Sequence, residues 1–244
     1  MQLLVGEPLF YIYFIYGISF LTLAYLVAKG TAGSASVPLI AAFNMLALFG
    51  LTHGITELTD WVRFIRKTVG APEMSALTWL SQVCLILSFV MLLQFAINLF
   101  TAQWTNKAVP LIRLLPATAL AAFIAFVATK GMNDILAIGL VGRYAFGFAS
   151  AILAAIAMVM TANTLKALGD QRLVTGLYIA AAAFVCYAVL GGLIVKPIAG
   201  APIQLFRTAC AVTIALSCFS LIRLSSTVAA GPRAFSVSSW RIQR

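Results

Sequence analysis

The residues best equipped for chemistry lie in one stretch, FGLTHGITELTDW at 49–61, where His53, Thr56, Glu57 and Asp60 fall at i, i+3, i+4 and i+7. On an α-helix these positions share an arc of about 100°, so the single histidine of the chain and two of its six acids gather on one face. An imidazole and a carboxylate one turn apart can hydrogen-bond, exchange a proton or hold a polar ligand. Two readings of this face stay open: a structural polar contact between helices, or a ligand or proton site. Arg143 and Tyr144 in GRYAFGFASAILAA, and Gln204 and Arg207 in PIQLFRTACA, are the other candidates. Each arginine can pair with a carboxylate through its planar fork, or simply snorkel to headgroups from a helix end.

The elements that must position these groups follow from composition. Of 244 residues 63% are hydrophobic and only 9% charged, and the mean hydropathy is +1.05, which excludes a soluble fold. A membrane-crossing helix takes roughly 20 apolar residues, so an all-α bundle of about seven spans uses nearly the whole chain and leaves no length for a soluble catalytic domain. Apolar runs predict spans near 8–28, 37–59, 76–99, 109–129, 143–166, 173–194 and 203–224, with ILAIGLV before Arg143 either joining span five or lying along the interface. Residues 1–225 form the membrane domain, and 226–244 a basic cytoplasmic tail or the start of a linker. The breaks GTAGSAS, Asp60 to Glu73, TAQWTNK, KGMND, LGDQR and KPIAGAP supply glycine, proline and charge. The first span lacks a basic n-region and carries Glu7, so it is expected to remain rather than be cleaved as a signal peptide. An ionisable side chain inside a bilayer costs about 2.5–3.5 kcal/mol unless paired or hydrated, so His53 and Glu57 should face the bundle interior.

Sixteen Lys and Arg give a net charge of +10, but they are scattered singly, as at helix flanks on a membrane surface, and nucleic acid is not an expected partner. An outside N-terminus puts nine basic residues on the cytoplasmic side against seven, and Lys29 and the basic tail agree with it. With that orientation span two ends, and spans five and seven begin, at the outer side, bringing Arg143 and Arg207 to the depth of His53, Glu57 and Asp60. A pairing of Glu57 with Arg143 or Arg207 is expected.

The order FG-x-x-HG-x-x-E (Phe49, Gly50, His53, Gly54, Glu57), RY-x-x-G (Arg143, Tyr144, Gly147) and P-I-Q-x-F-R (Pro202, Gln204, Phe206, Arg207) resembles the seven-helix membrane region of bacterial sensor histidine kinases and diguanylate cyclases. The sequence departs from that pattern at Leu58, where Trp usually follows the Glu. Such regions precede PAS, kinase or GGDEF modules, and none of these occurs within the 244 residues. The resemblance implies a non-catalytic sensory input domain in the bacterial inner membrane. Its ligand-binding or switch residues would be His53, Glu57, Asp60, Arg143, Tyr144, Gln204 and Arg207. Expected partners are membrane lipid and a small hydrophobic or amphiphilic ligand, and a homodimer through membrane helices is compatible with it.

Other classes fail on inventory. A retinal protein needs a lysine in the middle of its last span, and span seven has none. Bis-His haem needs two histidines, so haem would require Met or a second subunit as axial ligand, and no cofactor is expected. A zinc hydrolase site lacks ligands, and the four cysteines form no C-x-x-C pair. A transporter or channel with an outer-leaflet His/Glu/Arg site is the competing class, although an odd span count leaves a two-fold inverted repeat incomplete. Asn44, Gln82, Ser88, Gln94, Asn98, Ser150 and Thr161 read as interhelical glue, and Tyr11, Tyr13, Tyr16 and Trp61 as interface anchors. A reporter fused at Arg244 should be read in the cytoplasm, and an external signal would overturn both the topology and the depth match.

Overall fold

The computed structural model describes residues 8–31, 37–102, 104, 107–166, 171–194 and 202–229. Among them the chain is all-helical: α1 Pro8–Thr31, α2 Val37–Thr68, α3 Ser75–Thr101, α4 Val109–Ile112, α5 Leu115–Thr129, α6 Ile135–Gly142, α7 Phe148–Lys166, α8 Gln171–Tyr187 and α9 Ile203–Ala229. A π-helical turn, Arg143–Gly147, joins α6 to α7, and a second, Ala188–Leu193, extends α8. Five helical stretches are long and apolar enough to cross a membrane: Pro8–Thr31, Ser75–Thr101, Val109–Thr129, Ile135–Lys166 and Val174–Leu193. In a solvent that offers no hydrogen bonds, a helix satisfies its own backbone, which is why apolar runs of this length fold this way.

Turn chemistry marks the ends. Gly70 (φ 72°) follows α2 and lets Ala71 N–H reach back to the Arg66 carbonyl at 2.9 Å, and Gly131 (φ 60°) does the same service after α5. Asp134 caps α6, its carboxylate accepting from Leu136 N–H at 2.9 Å, and Pro116 sits in the first turn of α5. Two expected boundaries move. The polar stretch from Asp60 does not end the second helix, which runs on to Thr68 because nothing before Gly70 breaks it. The ILAIGLV segment is the first two turns of the helical stretch Ile135–Lys166, so Arg143 lies about 12 Å along that stretch rather than at its opening. Glu7, the loops at 32–36, 167–170 and 195–201, and the tail from 230 onward lie outside the described residues.

Six helices close a ring, in the order α1, α2, α3, α6–α7, α8, α9 and back to α1. The α5 helix stands outside it against α3, inserting Phe123 edge-on to Phe146 at 5.4 Å. The core fills with Phe20, Phe49, Phe89, Phe95, Phe184, Leu85 and Met158. Glycine sets the closest seam. A Cβ on Gly50 would lie 2.8 Å from the Phe20 carbonyl oxygen and 3.0 Å from Ala24 N, so α1 and α2 touch backbone to backbone there. Gly192, in the second π turn, is likewise pressed on the backbone of Phe148, with 2.7 Å from its would-be Cβ to Phe148 N. Asn98 acts as the expected glue between helices, donating to the Ala41 carbonyl of α2 at 3.4 Å, while Gln94 donates to Asn98 within α3 at 2.9 Å. Because backbone cannot swing aside, Gly50→Ala and Gly192→Ala should each destabilise the bundle by about 1–3 kcal/mol in reversible unfolding from mixed micelles. Unchanged stability would show that the seams have slack.

Candidate functional site

The polar centre forms where α1, α2, α3 and α8 converge on His53, which is 1% exposed. Gly50 and Gly54 let α1 approach α2 closely, and His53 and Glu57, on the adjoining part of the same face, point into the bundle. His53 Nδ1 lies 2.9 Å from Ser88 Oγ on α3, and Nε2 lies 2.8 Å from the Tyr187 hydroxyl on α8. Tyr16 on α1 adds its hydroxyl 3.3 Å from that of Tyr187. Proton counting gives the chain a direction. Ser88 donates its one proton to the Leu85 carbonyl at 2.7 Å, so it accepts from His53, which the network assigns its proton on Nδ1. Nε2 is then an acceptor, Tyr187 donates to it, and Tyr16 donates to Tyr187. Phe20, Phe49 and Phe89 wall the imidazole at ring-centre distances of 4.4, 5.4 and 5.7 Å.

Glu57, one turn on, is 5% exposed and approaches Nε2 at 3.5 Å. That nitrogen has no proton left to give, so the approach is not a hydrogen bond, and Glu57 has no other polar partner among the described residues. The expected pairing with Arg143 or Arg207 does not form. Arg207 donates through Nε to the Leu190 carbonyl and through Nη2 to that of Ile194, both at 2.7 Å, and Arg143 donates through Nη1 to Gly191 at 2.8 Å. The physical reason is that a helix end exposes carbonyls with no intrahelical donor, and the dipole favours cations there. Without water those carbonyls compete for the guanidiniums and win. The charges of both arginines nevertheless reach Glu57 and His53.

The remaining predicted residues separate. Asp60 accepts from Ser81 Oγ at 2.8 Å and from Arg63 at 3.0 Å, and Arg63 also holds Glu73 at 2.8 Å. This is a clamp across the turn between α2 and α3, in which the Arg63 hydrogen bond keeps the Glu73 carboxyl below its ordinary pKa. Gln204 donates to the Tyr13 hydroxyl at 2.9 Å, tying α9 to α1 beside Arg207. Tyr144 is 45% exposed on the bundle surface and is not brought to the centre.

Tyr16 corrects the anchor reading: it is buried, because it belongs to the face Tyr16, Phe20, Leu23 and Val27 that packs into the core. That four-residue and three-residue spacing was the signal that could have separated it from exposed Tyr11. Tyr187 stood in an apolar run with nothing to distinguish it. Among the described residues no three His, Cys, Asp or Glu come together as a metal site. No family model, curated protein or solved structure matches the chain.

Tyr187→Phe leaves both His53 Nε2 and the Tyr16 hydroxyl without partners. It should cost about 1 kcal/mol or more, above the roughly 0.6 kcal/mol average for one polar contact between membrane helices. Tyr16→Phe should then cost less on the Tyr187→Phe background than alone. Strictly additive losses would show that the two hydroxyls do not interact.

Proposed function

We infer that this chain is a membrane-embedded sensory input domain, a seven-span bundle with its N-terminus outside and its C-terminus in the cytoplasm of a bacterial inner membrane. It does no chemistry itself. A small hydrophobic or amphiphilic ligand, or a change in the bilayer, shifts the bundle between two packings, and the shift leaves through α9 to an output module.

The observation that carries this reading is the directed chain Tyr16 to Tyr187 to His53 to Ser88 to the Leu85 carbonyl, which links four helices through single hydrogen bonds. It ends on a backbone carbonyl, which has no proton to pass on. A proton relay would need a titratable or hydrated exit, so the arrangement favours a latch over the transport reading. A latch of this kind is bistable, since sliding one helix breaks the chain at a defined hydroxyl rather than deforming it gradually. The π turns beside it add to this, because such turns mark places where a helix holds one more residue than its regular path needs and can release it. The arginine-capped end of α8 leads directly to α9, so a change at Tyr187 has a short mechanical route outward. A ligand shifts the two packings only by its difference in affinity for them.

The test is a chimera carrying a histidine-kinase output after residue 244, assayed in nanodiscs of different acyl-chain length and with added 1-octanol. Autophosphorylation should change several-fold across that series. His53→Gln and Tyr16→Phe should flatten the response while leaving the protein helical and monodisperse. Kinase activity that is the same in every bilayer and with octanol would overturn the reading.

A further inference from the structure

One nitrogen of the latch has two neighbours placed to bond it. His53 Nε2 accepts from the Tyr187 hydroxyl at 2.8 Å, and Glu57 Oε1 stands 3.5 Å from the same atom, on the next turn of α2. The imidazole proton is committed to Ser88 through Nδ1, so Nε2 offers a single lone pair and holds one donor at full strength. Tyr187 reaches it from another helix and ties α8 to α2, whereas Glu57 reaches it from within α2 and ties that helix only to itself. One proton decides between them: a carboxylate has nothing to donate, and a carboxyl has an O–H. The acids of this end form a graded line inward. Side-chain exposure falls from 66% at Glu73 to 29% at Asp60, both held by Arg63, and then to buried Glu57 one turn further along the same face of α2. Beyond His53 the line stops at Ser88 and the Leu85 carbonyl, so a proton arriving this way has no exit. The other charged or titratable groups around the pair are Tyr13 and Tyr16 on α1, Tyr187 on α8, Arg143 in the first π turn and Arg207 on α9, while α3 presents the neutral Ser88.

We propose that one proton taken up by the His53–Glu57 pair throws the latch: Glu57 replaces Tyr187 on His53 Nε2, and α8 is released from α2. The proton comes from water at the end where Glu73 sits and lies between the Glu57 oxygen and Nε2, closing their separation from 3.5 Å to the about 2.8 Å of a hydrogen bond. Tyr187 keeps its own proton and turns it onto the Tyr16 oxygen, 3.3 Å away. The bond between α1 and α8 thus changes sense while the bond between α2 and α8 is lost. Without the added proton the carboxylate faces a lone pair and Tyr187 holds the nitrogen, which is the arrangement seen here. The latch is therefore shut at higher pH and opens as pH falls.

The proposal rests on the sensory reading for its purpose, naming what moves the same latch, but its test needs no output module. The full chain in phosphatidylcholine nanodiscs carries 3-fluorotyrosine at position 187 and is followed by 19F NMR from about pH 8 to pH 5, the range in which a histidine-linked proton is exchanged. The line should shift on acidification to a second position, while the same label at exposed Tyr144 stays fixed. Glu57→Gln, whose amide N–H donates to Nε2 at every pH, should hold the Tyr187 line at the acid position. Glu57→Met, which cannot donate, should hold it at the neutral one. A Glu57 that served packing alone would not send the two substitutions to opposite ends. A Tyr187 line that never shifts, one that shifts only together with that of Tyr144, an unchanged titration in a folded Glu57→Met, or both variants at one position each overturns the proposal. Should neither variant fold, the titration of the unmodified chain against its Tyr144 control decides. A chimera that ignores its bilayer leaves this result untouched, and a fixed Tyr187 line leaves a response to bilayer thickness or octanol standing.

Discussion

A buried imidazole with two ring nitrogens must find a donor and an acceptor inside the protein, because the bilayer supplies neither. The arrangement around His53 follows from that requirement. Ser88 takes the Nδ1 proton and Tyr187 fills the Nε2 lone pair, so α3 and α8 are held at fixed distances from α2. Tyr16 then fixes α1 through Tyr187. The surrounding phenyl rings exclude other partners, which turns a generic polar contact into one with a single solution. Glycines at 50 and 54 are part of the same constraint, since any side chain there would push α1 away and strand the Tyr16 hydroxyl.

The helical bundle, its approximate element positions and the inward face of His53 and Glu57 were legible in the sequence, because hydropathy and a 3.6-residue period act locally. What was not legible depended on partners far apart in the chain. Nothing local says that Tyr187 meets a histidine 134 residues away. Attraction of opposite charges points the arginines at the carboxylate, but the carbonyls of Leu190, Gly191 and Ile194 take their N–H groups instead. Those carbonyls exist where they do because α8 passes into a π turn, and the sequence AVLGGL does not announce one. Asp60 shared the right helical face and still went elsewhere, since α2 continues past it and presents Arg63 within reach.

The two π turns lie against each other, joined by the hydrogen bond from Arg143 to Gly191. One widened turn alone would leave a backbone carbonyl poorly aimed. Here the misdirected carbonyls of one are met by an arginine that begins the other, so the two irregularities compensate each other. The glycine pressed on Phe148 permits the contact, which explains why a flexible residue stands inside an otherwise regular span.

Helix direction around the ring carries an electrostatic consequence. Contacts pair rising residue numbers with rising ones between α3 and α6–α7, where Gln82, Ile86 and Phe89 meet Gly139, Gly142 and Gly147, and the Tyr13–Gln204 contact joins the first turns of α1 and α9. Four ring helices therefore begin at the end where Asp60 and Glu73 sit, while α2 and α8 finish there. Peptide dipoles contribute about half a positive charge at each start and half a negative at each finish. Even with α5 finishing at that end, a surplus of about half a positive charge remains. The backbone itself thus makes this end of the molecule attractive to anions, and the acids of the sequence cluster where the peptide groups already favour them.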